Sequence, residues 1–213
     1  MANGEGSTDE RSRIASVLFE GFEPLDVFGP LEVFGVSDRF DVSLLGPEAG
    51  PVRSSLGQRV VADLAWREAP PPEIVLVPGG IGTRRLVEDG GFLSWLAAWS
   101  SSATYVTSVC TGSGVLARAG LLDGYRATSN KQAFGWASSQ SDRVEWMAEA
   151  RWVADRDRWT SSGVAAGMDM ALALLAHLHG ETFASRVADG IELEWHRDAT
   201  RDPFAAKVGL GPG

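Results

Sequence analysis

The 213-residue chain has one cysteine, Cys110, in the run SVCTG over residues 108–112. Ser108 stands two before the thiol and Gly112 two after it. A nucleophile elbow needs this spacing, because a strand-to-helix turn that tight leaves no room for bulky neighbours. Gly112–Ala119 then reads as a helix, and a thiol at a helix start faces unpaired N–H groups and the positive dipole end. Both favour thiolate over thiol, so the expectation is a lowered pKa. The competing reading is an inert thiol closing a buried strand, the usual fate of a lone cysteine. The continuation C-T-G-S-G into a helix puts the nucleophile ahead.

Two further loops carry chemistry. In PGGIG, residues 78–82, glycines let the backbone pass close to a substrate. A free N–H on Gly80, with that of Thr111, would form a two-donor hole for developing negative charge. Ile81, next in the same loop, joins them as a substrate-binding residue. Taken alone, Pro-Gly-Gly is simply a turn after a strand. Asp26 belongs to EGFEPLD, residues 20–26, and the first turn of a helix is where an acid is often only a cap. Its neighbours Leu25, Val27 and Phe28 are apolar, which predicts a desolvated carboxyl with a raised pKa. Pro30 has no N–H to return to the Asp26 carbonyl, so a distorted helix is expected there. A carboxyl that keeps its proton beside a thiolate can serve as general acid.

These loops need strands to hold them. Arg13–Phe19, Phe40–Gly46, Glu73–Val77 and Thr104–Val109 read as strands, with Gln58–Ala62 a short extended piece. Arg151–Ala154 and Trp159–Ser162 read as two more, joined by a turn over Asp155–Arg158. Helical patterns cover Pro24–Val36, Phe92–Ser100, Gly163–His179 and Thr182–His196. Such alternation predicts an α/β fold with a mostly parallel sheet between helical layers. Each of the three loops follows a strand's carboxyl end, where open α/β sheets bind ligands.

Composition sets the bounds. With 44% hydrophobic and 22% charged residues, the chain reads as one globular domain over 13–204. Residues 1–12 read as a disordered tail and 205–213 as a frayed end. A formal net charge of −9 argues against nucleic acid or an anionic membrane as partner. No apolar stretch is long enough to span a bilayer and no secretory leader is visible, so a cytoplasmic location is expected. One cysteine excludes an intrachain disulfide. His177 and His179 are two apart on a helix and form no metal pair, and His196 in EWHRD reads as a surface or helix-end residue. Neither metal nor cofactor is expected.

The ordered motifs LDVFGPLEVF, VPGG, SVCTGSGVLARAGLLDG, RAT and SSGVAAGMDMALAL resemble the ThiJ/PfpI superfamily from about Ile14 to Pro203. The resemblance implies a flavodoxin-like three-layer sandwich, a homodimer, and a cysteine at the elbow. Asp near the end of strand one, together with SVCTG, is similar to the isocyanide hydratase branch. Carried over, Cys110 is the nucleophile, Asp26 its carboxylic partner, and Thr111 and Gly80 the oxyanion contacts. Many relatives place a histidine shortly after RAT, where this chain has Asn130 and Lys131. Asn130 is therefore assigned to substrate binding, and protease chemistry through a Cys–His dyad is disfavoured. The implied reaction adds water to a small isocyanide and yields an N-substituted formamide. A glyoxalase-like or amidase-like cysteine enzyme is the alternative within the superfamily. A redox sensor or ligand-binding regulator is the non-enzymatic one, weakened because no helix-turn-helix pattern follows Pro203.

Overall fold

The computed structural model describes residues 11–210. The first elements are β1 (Ser12–Val17), α1 (Pro24–Val36), β2 (Phe40–Gly46), β3 (Gly50–Arg53), β4 (Arg59–Ala62) and β5 (Leu64–Ala65). After them come β6 (Ile74–Val77), α2 (Thr83–Leu86), α3 (Gly90–Trp99), β7 (Tyr105–Val109) and α4 (Gly112–Arg118). The chain continues through β8 (Arg126–Ala127), α5 (Phe134–Ser138), β9 (Glu145–Trp146), β10 (Trp152–Asp155) and β11 (Arg158–Ser161). Helices α6 (Ala166–His179) and α7 (Glu181–Gly190) follow.

Seven strands form one sheet in the order β10-β11-β7-β6-β1-β2-β5. Every pairing is parallel except the β10–β11 hairpin at one edge. β6 reads IVLV and is buried throughout, as a strand covered on both faces must be. Helices α1, α6 and α7 pack together, and α4 packs with α2 and α5. These layers make a flavodoxin-like α/β sandwich. Because β2 lies to one side of β1 and β6 to the other, the winding reverses between β1 and β6. A crevice opens at the carboxyl ends of strands at such a point.

Several boundaries differ from expectation. Ser12, assigned to the tail, opens β1 and donates its N–H to Arg39 O at 3.0 Å; the rest of that tail apart from Arg11 lies outside the described residues. α1 runs unbroken through Pro30, so the missing hydrogen bond is tolerated without a break. The helix expected from Gly163 begins at Ala166, and the one expected to reach His196 stops at Gly190. Beyond it, Glu192 takes a left-handed φ of 54°, and the chain is tied back where the His196 N–H donates to Asp169 Oδ1 at 2.9 Å. The segment from 205 is not frayed throughout. Ala205 is buried, Ala206–Val208 forms a 3-10 turn, and Asp202 anchors the approach by donating its N–H to Glu149 O at 2.7 Å. Residues 211–213 lie outside the described residues.

Candidate active site

The loops after β1, β6 and β7 are bound to one another. Glu23 N–H donates to Gly79 O at 2.8 Å, and Gly82 N–H to Gly21 O at 3.1 Å. Cys110 follows β7 directly, with a left-handed φ of 57°. That conformation is costly for a residue with a side chain and persists only where its surroundings hold it. Here the Cys110 N–H donates to Ser161 O at 3.1 Å and to Ser162 O at 3.2 Å. The Cys110 carbonyl accepts the Ser113 hydroxyl at 3.1 Å and the Ser129 hydroxyl at 2.9 Å. A Cβ on Gly112 would lie 2.1 Å from Val77 O, which is why the elbow spacing demands glycine there.

Asp26, buried in α1, does not cap its own helix. Its Oδ2 reaches across to accept the Gly79 N–H at 2.9 Å, and its Oδ1 has no hydrogen-bond partner among the described residues. Burial pushes the carboxyl pKa up to about 8, against the Gly79 N–H, with the charge of Glu23 adding to the rise. The Cys110 thiol is pushed up as well, chiefly by burial and next by the Asp26 charge, while the Thr111 N–H and hydroxyl act in the opposite sense. The expected resting thiolate is thus replaced by a thiol. Burial outweighs the dipole of α4, which has only 7 residues. Both shifts run toward the protonated forms, a thiol and a carboxylic acid.

The other assigned residues fare differently. The Gly80 N–H is not free: it donates to Thr111 Oγ1 at 3.1 Å, with Gly80 at φ 121°. Thr111 is where expected, beside the sulfur. Ile81 is 67% exposed beside Gly21 and does not enter the cavity near the thiol. Asn130 does reach the site. A Cβ built on Gly163 would lie 2.2 Å from Asn130 Nδ2 and 2.9 Å from Cys110 Sγ, so Gly163 sits between amide and sulfur. The Ala133 N–H donates to Asn130 Oδ1 at 3.0 Å and fixes the amide. Beside them opens a cavity of about 440 Å³, lined by Asn130, Gly163, Val164, Phe204 and Val208, with Lys131 and other polar groups at its wall. Gly163→Ala is expected to cost about 100-fold in turnover, the scale set by ångström misplacement of reacting groups. Initial rates alongside a thermal melt check it; a variant of wild-type rate removes Gly163 from the site.

Reading the sequence missed two cations. Arg84 donates from Nη1 to Thr83 Oγ1 at 2.9 Å and to Gly80 O at 3.3 Å, and its guanidinium lies 4.0 Å from the Trp136 ring centre. Its place two residues after PGGIG was the available signal. Lys131, buried, donates to Thr128 Oγ1 at 2.9 Å and to Ala150 O at 2.5 Å. Burial brings its pKa down to about 8. The histidines lie elsewhere: His177 meets the Tyr105 hydroxyl at 3.0 Å, and His179 packs on Phe40 and Phe183. Among the described residues no group of three or more His, Cys, Asp or Glu side chains is placed to hold a metal, and no helix is long and apolar enough to cross a membrane.

A doubly wound α/β sandwich with its one cysteine strained at a strand-to-helix elbow, facing a buried acid, defines the class of the DJ-1/ThiJ/PfpI proteins. The chain belongs to the DJ-1/PfpI family, whose profile matches residues 12–177. It is 35% identical over 196 residues to the isonitrile hydratase of Pseudomonas putida, covering 90% of this chain and 81% of that protein. It superposes on a ThiJ/PfpI family protein from Pseudomonas syringae with a TM-score of 0.77 at 29% identity, over 95% of this chain and 84% of that one. It is also 35% identical over 138 residues to the HTH-type transcriptional regulator GbdR of Pseudomonas aeruginosa, covering 65% of this chain but 37% of the regulator.

Proposed function

We propose that the protein is a cysteine-dependent hydro-lyase that adds water to a small isocyanide, the same compound class as an isonitrile, to give an N-substituted formamide. The observation that carries this reading is the Cys110–Asp26 pair, a buried thiol beside a buried acid whose pKa stands at about 8. A terminal isocyanide carbon has a lone pair and accepts a nucleophile, so it needs both a proton and a sulfur. Asp26 donates its proton to that carbon. Sγ attacks the same carbon, and its own proton passes to the Asp26 carboxylate. One C–H and one C–S bond form, the carbon–nitrogen triple bond becomes double, and Asp26 ends protonated. The product is a thioimidate on Cys110.

Water then adds across the C=N bond, its oxygen to carbon and a proton to nitrogen. The C–S bond breaks, sulfur recovers the hydroxyl proton, and the formamide leaves with Cys110 again a thiol. Thr111 N–H and Asn130 Nδ2 are the donors available to the atoms that gain electron density. The cavity of about 440 Å³ accepts the nitrogen substituent against Val164, Phe204 and Val208. This reading includes a homodimer, as the family resemblance implies, in the reducing cytoplasm that a single cysteine suits.

Incubation of the purified protein with several small alkyl and aryl isocyanides is the test. The expected result is loss of isocyanide with equimolar formamide by NMR. If all of them survive unchanged, the hydratase reading falls, and the kinship with a transcriptional regulator makes ligand binding the next reading.

A further inference from the structure

Arg84 is half-buried, and among the described residues no carboxylate pairs with it. Its guanidinium is fixed from two sides, by the Trp136 ring at 4.0 Å and by Gly80 O and Thr83 Oγ1. Trp136 itself is pressed against the elbow helix, since a Cβ on Gly114 would lie 2.8 Å from its ring.

What lies beyond Thr83 gives the cation a target. The Thr83 hydroxyl has two acceptors, Gly80 O at 2.7 Å and Thr111 Oγ1 at 3.2 Å, and Thr111 Oγ1 also accepts the Gly80 N–H at 3.1 Å. The Thr111 hydroxyl proton has Gly80 O at 3.4 Å and the Cys110 sulfur as acceptors, and the sulfur is the stronger of the two once it carries charge. Hydrogen bonds in such a chain polarise one another, and a charged donor at the far end strengthens each link. Arg84 and Cys110 are also close enough to interact directly as charges.

We propose that Arg84 is a positioning residue for Cys110, acting through the Thr83 and Thr111 hydroxyls to stabilise the sulfur as it loses its proton. The charged or titratable groups facing that sulfur are then Asp26 from α1, itself under the field of Glu23, and Arg84 from α2. The remaining side chains around Cys110, those of Thr111, Ser113, Ser129 and Asn130, do not titrate. Asp26 supplies the proton that the substrate carbon needs, and Arg84 balances the negative charge that attack requires. The inference deepens the hydratase reading, whose thiol it concerns, but its test uses no isocyanide.

The test is the pH dependence of Cys110 alkylation by iodoacetamide, followed by intact mass, with far-UV circular dichroism and a melt for each variant. Arg84→Met is expected to move the midpoint up by about one pH unit, the lower end of what one opposite charge does at short range. Thr83→Val keeps the cation but cuts the chain, and a similar upward shift is expected. The double variant is expected to shift no further than Arg84→Met alone, which already removes both the direct charge and the head of the chain. Arg84→Lys is expected to recover part of the shift, and it carries the test together with Thr83→Val if Arg84→Met does not fold. A wild-type midpoint in Arg84→Met, or in both Thr83→Val and Arg84→Lys, overturns the proposal; a shift in Arg84→Met with none in Thr83→Val overturns the hydroxyl route. A protein that alkylates as expected yet leaves isocyanides untouched sinks the hydratase reading alone.

Discussion

Cys110→Ala is expected to lower isocyanide turnover by at least about 10⁴-fold, the scale on which a covalent nucleophile is lost, while the protein stays folded. The backbone reasons are specific. The N–H bonds to Ser161 O and Ser162 O and the carbonyl bonds from Ser113 and Ser129 involve no sulfur atom. Alanine also meets the left-handed φ of 57° with no larger side chain than cysteine. Only the thiol disappears. Formamide yield over hours, beside a thermal melt, measures both halves of the expectation. A Cys110→Ala protein that retains a tenth of wild-type activity rules out the thioimidate route.

Asp26→Asn is expected to cost about 10²–10⁴-fold in turnover, the range for removing a positioned general acid, and to stabilise the protein at the same time. Asparagine can still accept the Gly79 N–H, so the loops after β1 and β6 remain tied. The stability effect follows from linkage. Unfolded, the carboxyl titrates near its ordinary value of about 3.9; folded, burial raises it to about 8. Between those values the folded chain holds a proton that the unfolded chain has released, so wild-type stability falls as pH rises and levels off above about 8. Asparagine carries no such slope. The gain should reach a few kcal/mol near neutrality, an order-of-magnitude expectation from a shift of this size in a fully buried group. Urea denaturation at pH 5 and pH 8 tests it; equal pH slopes for the two proteins would show that Asp26 is ionised in the fold. Wild-type turnover should decline through the same upper limb, because it needs the acid form.

Long apolar runs and well-marked ends made much of the fold legible. The sequence reading places β2 at Phe40–Gly46 and α1 at Pro24–Val36, and the structure agrees. Proline at the helix start and the uninterrupted apolar pattern carried that signal. β8 and β9 have 2 residues each and were not legible. They exist because distant backbone meets there, as where the Gly124 N–H donates to Arg143 O at 2.8 Å. The end of α7 was masked by the apolar residues Ile191, Leu193 and Trp195, which pack on the core without being helical.

The site divides along the same line. Cys110 and Asp26 announce themselves through local spacing and local apolarity. The charge on the sulfur does not, since it depends on burial by Ser161, Ser162, Gly163 and Asn130, which arrive from remote parts of the chain. Nor could the partner of the Gly80 N–H be read from PGGIG, because Thr111 lies 31 residues downstream. Arg84 is placed by Trp136, a remote residue that no local spacing announces.

The convergence of loops from β1, β6, β7 and β11 bears also on how this protein comes into being. Residues 26, 79, 110 and 163 meet only once the middle of a parallel sheet is assembled, and parallel pairing across such separations is slow because loop closure precedes the reward of contact. Until then Cys110 is an ordinary exposed thiol and Asp26 an ordinary ionised carboxylate. A ribosome-bound or partly unfolded chain therefore lacks the poised acid. Folding thus builds the Cys110–Asp26 pair while it withdraws the bare thiol from solvent and raises its pKa.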